Sequence, residues 1–557
     1  MPVLPSTASD ITTLRRVSAT VSAGPSKPSA GAVAPIRGAF LSAVLRASSA
    51  ALSVSKGSSV IIPPVPPAPT SVTLQRTGAR EVYVVKYSTS GAVQWARRIN
   101  GQGDGITFLG VGPNQGIATD ASGNVYVIGG SASAVTIFGS DNTTAAFSLG
   151  NAGNGDAFIV KYSTLGIPLW ARRIGSAVFH PEQGNDIAVD PLGNVYVMGT
   201  FHDLGVTMFA ANDTNAAFTI AATNGGVDVF VAKYSSSGNP EWLRRVGGGG
   251  SDGGFSIAVD ADGGVFVCGY TSANVSLYDG SGNATNTTTR TTTEEGYFGK
   301  YDTSGNPLWL RRLIRLSVTA TAIALDSFGN AYVIGTYNNG GTFTAFGGST
   351  SVTLPTSGES GNTFLVKYTT HGEPVWARAM NGTNTNMSFG ISLDSSNNIY
   401  IVGRYAGTLV IRNADNSTFL SSAGPGTQWD IGLIKYDSDG TPQWLRRIGG
   451  LGYDQGLGVA ADSTGNVYIT GASDNTVIIY EGNGDRPATT TFTTLANTGS
   501  EDGLIVKYTT TGTPVWAARI SGTGSELGRA IAVDPTGNIY ASGSYTSNPV
   551  TLSVGGV

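Results

Sequence analysis

The chain is built of short runs that alternate in polarity, with no helical period competing against them. Residues 184–247 show the unit. Residues 187–190 predict a short apolar strand, Pro191-Leu192-Gly193-Asn194 a turn, and residues 195–198 a second strand. Residues 206–209 and 217–220 flank Asn212-Asp213-Thr214-Asn215 and predict a protruding hairpin. A strand over 227–234, a turn over 235–239 and a last strand over 241–246 complete the unit. β-Branched and aromatic residues between Gly- and Asn-rich turns carry these assignments.

The unit recurs. Seven Lys-Tyr pairs are each followed by a Trp nine positions after the Lys: Lys86/Trp95, Lys161/Trp170, Lys233/Trp242, Lys300/Trp309, Lys367/Trp376, Lys435/Trp444 and Lys507/Trp516. Seven Asp residues (Asp120, Asp190, Asp260, Asp326, Asp394, Asp462 and Asp534) each precede an aromatic by six positions and a Gly by nine. The Lys-to-Lys steps are 75, 72, 67, 67, 68 and 72 residues. Self-similarity of this kind predicts a stacked or closed repeat architecture.

Each recurring residue has a structural reading. An Asp in Asp-x-x-Gly-Asn accepts amide hydrogens of its own turn, and the Gly adopts positive φ without Cβ strain. The Trp is expected on the outer strand, filling the gap between neighbouring sheets. Arg pairs follow it (Arg97/Arg98, Arg172/Arg173, Arg244/Arg245, Arg311/Arg312 and Arg446/Arg447). One Arg is expected to lie over the Trp and reach an acid five residues before the Lys. Those acids are Glu81, Asp156, Asp228, Glu295, Asp430 and Asp502, with Asn362 the exception. A basic binding stripe is the alternative.

The array starts and stops midway through a unit. Residues 71–100 supply Ser71-Val72-Thr73-Leu74, a Lys-Tyr strand and a Trp strand; residues 529–557 supply an Asp strand, a Tyr strand and Val550-Thr551-Leu552. Complementary halves predict a ring, whereas a linear solenoid would carry atypical caps. The expected fold is all-β: a seven-bladed β-propeller over residues 71–557, closed by strands from both termini.

Ile-Ala-Val-Asp-x-x-Gly-Asn-x-Tyr at residues 187–196 and 531–540 resembles the seven-bladed beta-propeller repeat family called SBBP. The segment Phe-x-Val-Lys-Tyr-x-Thr-x-Gly-x-Pro-x-Trp-Ala-Arg is similar to what accompanies that repeat; residues 158–172 carry this phase. The resemblance covers residues from about 71 onward. It implies a propeller and a cell-surface or particle-surface setting, and it brings no defined catalytic residues. A weaker likeness to the Trp-containing repeats of quinoprotein dehydrogenases implies a cofactor pocket with calcium and a disulfide, which a single Cys cannot supply within the chain.

Residues 1–70 differ. They are rich in Pro, Ala and Ser and hold Arg15, Arg16, Lys27, Arg37, Arg46 and Lys56 against Asp10 alone. They predict a disordered basic tail with a Pro-rich linker over 61–70, the alternative being an organelle transit peptide. Phe40, Leu41, Val44, Leu45 and Leu52 would line one side of a short docking helix. No standard secretion signal is visible, and location is otherwise unknown. No apolar run approaches the ~20 residues of a membrane helix. A net charge of -4 argues against a nucleic-acid partner for the ring.

Reactive chemistry is sparse. Cys268 occupies an apolar strand position and reads as buried. His180, His202 and His371 are expected in loops, without metal-ligand spacing. Asp260-Ala261-Asp262-Gly263 and Asp437-Ser438-Asp439-Gly440 resemble starts of calcium loops but lack the downstream Glu. Asn142, Asn212, Asn283 and Asn416 head incidental glycosylation triplets. No catalytic, cofactor or metal residue is assigned, no cofactor is expected, and the binding residues are unknown. The two uniform turns should share one face. The variable connections (100–116, 178–184, the tips near Thr143 and Asn215, and 285–295) should lie opposite, with Trp429 near them. The expected function is a non-enzymatic scaffold that binds a protein or surface assembly through that face, anchored by its tail. A multivalent glycan binder and a propeller enzyme of lyase or quinoprotein type are the alternatives.

Overall fold

The computed structural model describes residues 71–554 apart from 102–115, 152–154, 177–181, 203, 224, 339–341, 355–360, 385, 425–427 and 483–489. The tail, with the docking helix expected in it, His180 and much of two variable connections lie outside the described residues. The described residues contain no helix and form seven antiparallel sheets of six strands each. We number the sheets as blades 1 to 7 in the order in which the chain lays down their Lys-Tyr strands.

Blade 3 shows the plan. Its strands run Gln183–Val189, Val195–His202, Val227–Tyr234 and Pro240–Gly248 from the centre outward. Val275–Tyr278 and Ala284–Thr288 complete its outer edge. Those two strands come from the segment that builds blade 4. The hairpin Val206–Phe209/Ala216–Ile220, lying inside blade 3's own sequence, pairs instead with Pro168–Gly175 of blade 2. The hairpin expected to protrude is therefore the outer edge of the preceding blade. Its strand partner lies in the preceding unit, beyond the reach of local patterning. By the same displacement the Trp stands on the fourth of six strands, inside the sheet, and not on an outer strand.

The chain ends enter two sheets. Blade 1 combines Glu526–Val533 and Ile539–Tyr545 with Glu81–Tyr87 and Val93–Gly101; Glu81 pairs with Tyr545 and Tyr87 with Ile539. The outer edge of blade 7 is Val550–Val554 paired with Ser71–Leu74, in a register that sets Thr73 opposite Thr551. The break between the termini thus falls within the seventh hairpin.

The core is divided among the junctions between blades. Seven clusters of buried apolar residues each join two adjacent blades, including Tyr83 and Val85 of blade 1 with Trp516 and Ile520 of blade 7. Each junction carries a latch. Trp170 of blade 2 is 7% exposed, and its Nε1–H donates to Ser236 O of blade 3 at 3.3 Å. Lys161 Nζ donates to the same oxygen at 3.2 Å. Gly238, at φ 79°, lies flat on the ring; a Cβ there would fall 2.8 Å from it. Between blades 7 and 1, Trp516 and Lys507 both donate to Thr89 O, and Gly91 covers Trp516.

The Arg pairs divide their work, which corrects the expectation that one Arg does both jobs. The first covers the Trp (Arg172 Cζ lies 5.3 Å from the Trp170 ring centroid) and donates to carbonyls of the next blade's turn, as Arg97 does to Gly166 O at 2.6 Å. The second pairs with the acid: Arg98 with Glu81, Arg173 with Asp156, Arg245 with Asp228, Arg312 with Glu295, Arg447 with Asp430, and Arg519 with Asp502. The blade with Asn362 in place of the acid has Ala379 in place of that Arg, so both charges are lost together. A buried charge without its partner would be costly.

Trp170→Ala is expected to lower stability by about 3–5 kcal/mol; denaturant unfolding followed by far-UV circular dichroism measures it. A circular permutant that joins the natural ends and opens the chain at the 140–144 hairpin tip should give the same spectrum and cooperative melt. A permutant that stays unfolded contradicts the paired ends.

Candidate functional site

The two turns of each blade sit side by side on one face: Gly123 lies against the Thr164 side chain, and Gly193 against Ser236. The turn Asp residues are fully committed there. Asp120 Oδ1 accepts the amides of Ser122 and Asn124, while Oδ2 accepts Asn124 Nδ2 and the Tyr126 hydroxyl at 2.9 Å. Burial alone would raise the pKa of Asp120, Asp462 and Asp534; the hydrogen bonds outweigh it and hold them below the usual carboxylate range. In blade 6 Asn397 takes the Gly position at φ 60°. Asp260 and Asp437 accept amides of their own turns in the same way, and Asp260 also pairs with Lys300 at 2.9 Å, so the segments that resembled calcium loops are ordinary members of this series.

This face leads into the centre of the ring. A mouth of about 610 Å³ is lined by the turn residues of blades 2 to 5. Behind it a bore of about 340 Å³ is lined by triplets such as Ile187-Ala188-Val189, one from each blade. These side chains are apolar apart from the hydroxyls of Thr119 and Ser392, and no acid or imidazole stands among them.

The opposite face is irregular. The position just before each of the six recurring acids, or before Asn362, holds Arg80, Gly155, Val227, Glu294, Gly361, Trp429 and Glu501 in turn. Across blades 6, 7 and 1 these residues join into one patch. Trp429 meets Tyr453 edge to face at 5.1 Å between centroids, and Arg404 lies over the Trp429 ring at 3.6 Å. Arg404 Nη1 donates to Gln455 Oε1 at 3.2 Å, and Gln455 Nε2 donates to Glu501 Oε1 at 3.2 Å. Ser525 Oγ donates to Glu501 Oε2 at 3.1 Å, and Arg529 adds its charge. Burial lowers Arg404 and Arg529 and raises Glu501. Tyr453 is 46% and Leu451 76% exposed beside it.

The patch can stack and hydrogen-bond a surface. Among the described residues no group of three or more His, Cys, Asp or Glu side chains is assembled to hold a metal ion. Cys268 is fully buried, its Sγ 3.6 Å from Ala320 O of the next blade. His371 sits in a turn, its carbonyl accepting from Arg311. His202 ends a strand, Val195–His202, where a loop was expected; the strand extends beyond the apolar run because residues 200–202 find ladder partners in 227–229. Trp429 is the member of the patch that its departure from the repeat phase marks out. Arg404, Gln455, Glu501 and Arg529 lacked a distinguishing spacing. A second signal was readable: Glu182, Asp252, Asp454 and Glu526 each stand eight positions before a turn Asp, and all four are buried.

The sequence signature of the beta-propeller repeat called SBBP matches residues 169–200, 241–275 and 443–478. An uncharacterised WD repeat-containing protein of Acanthamoeba polyphaga mimivirus is 26% identical over 494 residues, taking in 78% of this chain and 34% of the relative. The chain therefore spans about a third of the length of that relative. Among solved structures, the Pan2 WD40 domain of Neurospora crassa is similar at TM-score 0.33 and 11% identity, over 78% of this chain and 89% of that one. Virginiamycin B lyase of Staphylococcus aureus is similar at TM-score 0.21 and 11% identity, over 52% and 94%. The chain folds as a seven-bladed β-propeller, three segments of which match the SBBP beta-propeller repeat.

Proposed function

We propose that this protein is a non-enzymatic interaction scaffold that holds a protein partner on its irregular face, across blades 6, 7 and 1. The observation that carries this reading is the contrast between the faces. The turn face repeats one hydrogen-bonded motif, while the opposite rim gathers Trp429, Tyr453, Leu451 and Arg404 into a partly exposed aromatic and cationic patch. Interface centres are enriched in Trp, Tyr and Arg, and a few such anchors dominate affinity. The WD-repeat character of the viral relative supports an interaction role. We place the basic tail as the anchor to a cell-surface or particle-surface assembly. No described helix is long and apolar enough to cross a membrane.

Chemical cross-linking of the native protein, followed by mass spectrometry, identifies the partner and the contact residues. Trp429→Ala combined with Tyr453→Ala should weaken that partner at least about tenfold, while Leu192→Ser on the turn face leaves affinity unchanged. Equal affinity in all variants removes the patch from the interface. Deleting residues 1–70 should release the ring from its assembly with its melting temperature intact; undiminished association contradicts the anchoring role. Binding to a glycan array, with no protein cross-links, favours the carbohydrate reading instead.

A further inference from the structure

Among the described residues, three of the seven junctions hold more negative than positive charge, and a fourth sets two acids side by side. At the junction of blades 2 and 3, Glu182 is 1% exposed beside Asp156, and Arg173 supplies the cation. Between blades 3 and 4, Asp252 faces Asp228 and Arg245, with Tyr270 and Tyr297 around it. Between blades 6 and 7, Asp454 faces Asp430 and Asp474, with Arg447 paired to Asp430. Between blades 7 and 1, Glu526 meets Glu501, Tyr83 and Arg519; Arg519 also pairs with Asp502, and Arg529, with Arg80 beside it, stands near Glu501 and Tyr83. Arg173 has a further acid, Asp213, at the neighbouring hairpin tip.

The hydrogen bonds at each acid leave something over. Glu182 Oε1 accepts from Ser176 at 2.7 Å, Asp454 Oδ2 from the Gly450 amide at 2.8 Å, and Glu526 Oε1 from the Ser547 amide at 3.2 Å. The second oxygen of each, and both oxygens of Asp252, have no donor in hydrogen-bonding geometry among the described residues, although the hydroxyls of Ser473, Ser547 and Thr271 lie close to Asp454, Glu526 and Asp252. A buried carboxylate oxygen with no donor is costly, and a second carboxylate beside it makes ionisation costlier still. A proton on that oxygen removes the excess charge and turns an orphan acceptor into a donor. The junction of blades 4 and 5 is the internal control. It has the Glu295–Arg312 pair, with Val318 where the extra acid would stand, and its charges balance.

We propose that these four junctions each close on a protonated carboxyl group, on Glu182, Asp252, Asp454 and Glu526, so that the ring loosens by losing protons as its surroundings turn from acidic to alkaline. Electrostatics agree with the geometry. Burial pushes Asp252 and Asp454 up to about 7 and Glu182 up to about 8, and it raises Glu526 as well. The unfolded chain gives up the same protons above about pH 4. The folded state therefore holds protons that the unfolded state has lost, and stability falls as pH rises through the interval from about 4 to about 8. The turn Asp residues act in the opposite sense and only below that interval. The inference does not depend on the binding reading above.

The test uses the full chain and a variant carrying Glu182→Gln, Asp252→Asn, Asp454→Asn and Glu526→Gln. The wild-type melting temperature should fall between about pH 5 and about pH 8.5, and unfolding near pH 6 should release on the order of three to four protons more than in the variant. Calorimetry in buffers of different ionisation enthalpy reads that number. Should the variant not fold, infrared difference spectra of the wild type decide. A protonated-carboxyl stretch near pH 6 that vanishes near pH 9, without unfolding, supports the proposal. A flat wild-type melting profile, an unchanged slope in the variant, or no such stretch overturns it. A slope abolished by added calcium also overturns it, since a cation would then hold the junctions.

Discussion

The constraint on which the structure depends is the fit between one indole ring and one glycine across each junction. A sheet of this kind has two apolar faces and cannot stand alone in water. The Trp of each blade projects to the next, where a turn Gly, without a Cβ, stands over it; in five of the seven (Trp95, Trp170, Trp242, Trp444 and Trp516) its Nε1–H also finds a carbonyl of that turn. Buried Trp needs such a partner for its N–H. The same turn must reverse the chain at positive φ, so a single Gly serves both the turn and the latch. This explains why Gly, Lys and Trp keep a fixed phase while the loops around them vary in length.

Closure follows from repetition of that contact. Trp516 meets Gly91 as Trp170 meets Gly238, although Ala518 replaces the first Arg there. The displaced hairpins add a second tie, because each unit supplies the outer edge of the blade before it. Blade 7 receives that edge from the two ends of the chain, and blade 1 is assembled from both halves. An isolated unit would lack both its outer edge and its latch, so the blades depend on one another for burial. The rim of the irregular face then inherits a rigid support, on which Trp429 and Arg404 sit without contributing to the repeat.

Much of this was legible in the sequence because the period is long and the signals are local. Residues 206–209 and 227–234 read as strands and are strands. The Asp turns read as self-capped and are so. What could not be read is which neighbour a residue faces. The hairpin at 206–220 carries no mark of the sheet that receives it, and the Trp was therefore placed one layer too far out. The two Arg residues share a spacing, yet one crosses the junction and the other stays within its sheet. The patch at Trp429 was visible only through its odd phase; Arg404 and Glu501 reach it through folding alone. The acids eight positions before the turn Asp were visible as a period, but their lack of counter-charge appears only once the blades are set side by side.

The account predicts that the indole of Trp516 is locked like the others. Hydrogen exchange of the Trp indole N–H groups, read by nuclear magnetic resonance on ¹⁵N-Trp-labelled protein, tests this directly. Slow exchange at Trp516, of the same order as at Trp170, is the predicted result, since both protons bond to the next blade's turn. Exchange at Trp516 as fast as in a free indole, with Trp170 still protected, would mean that the blades stack without closing and would contradict the account.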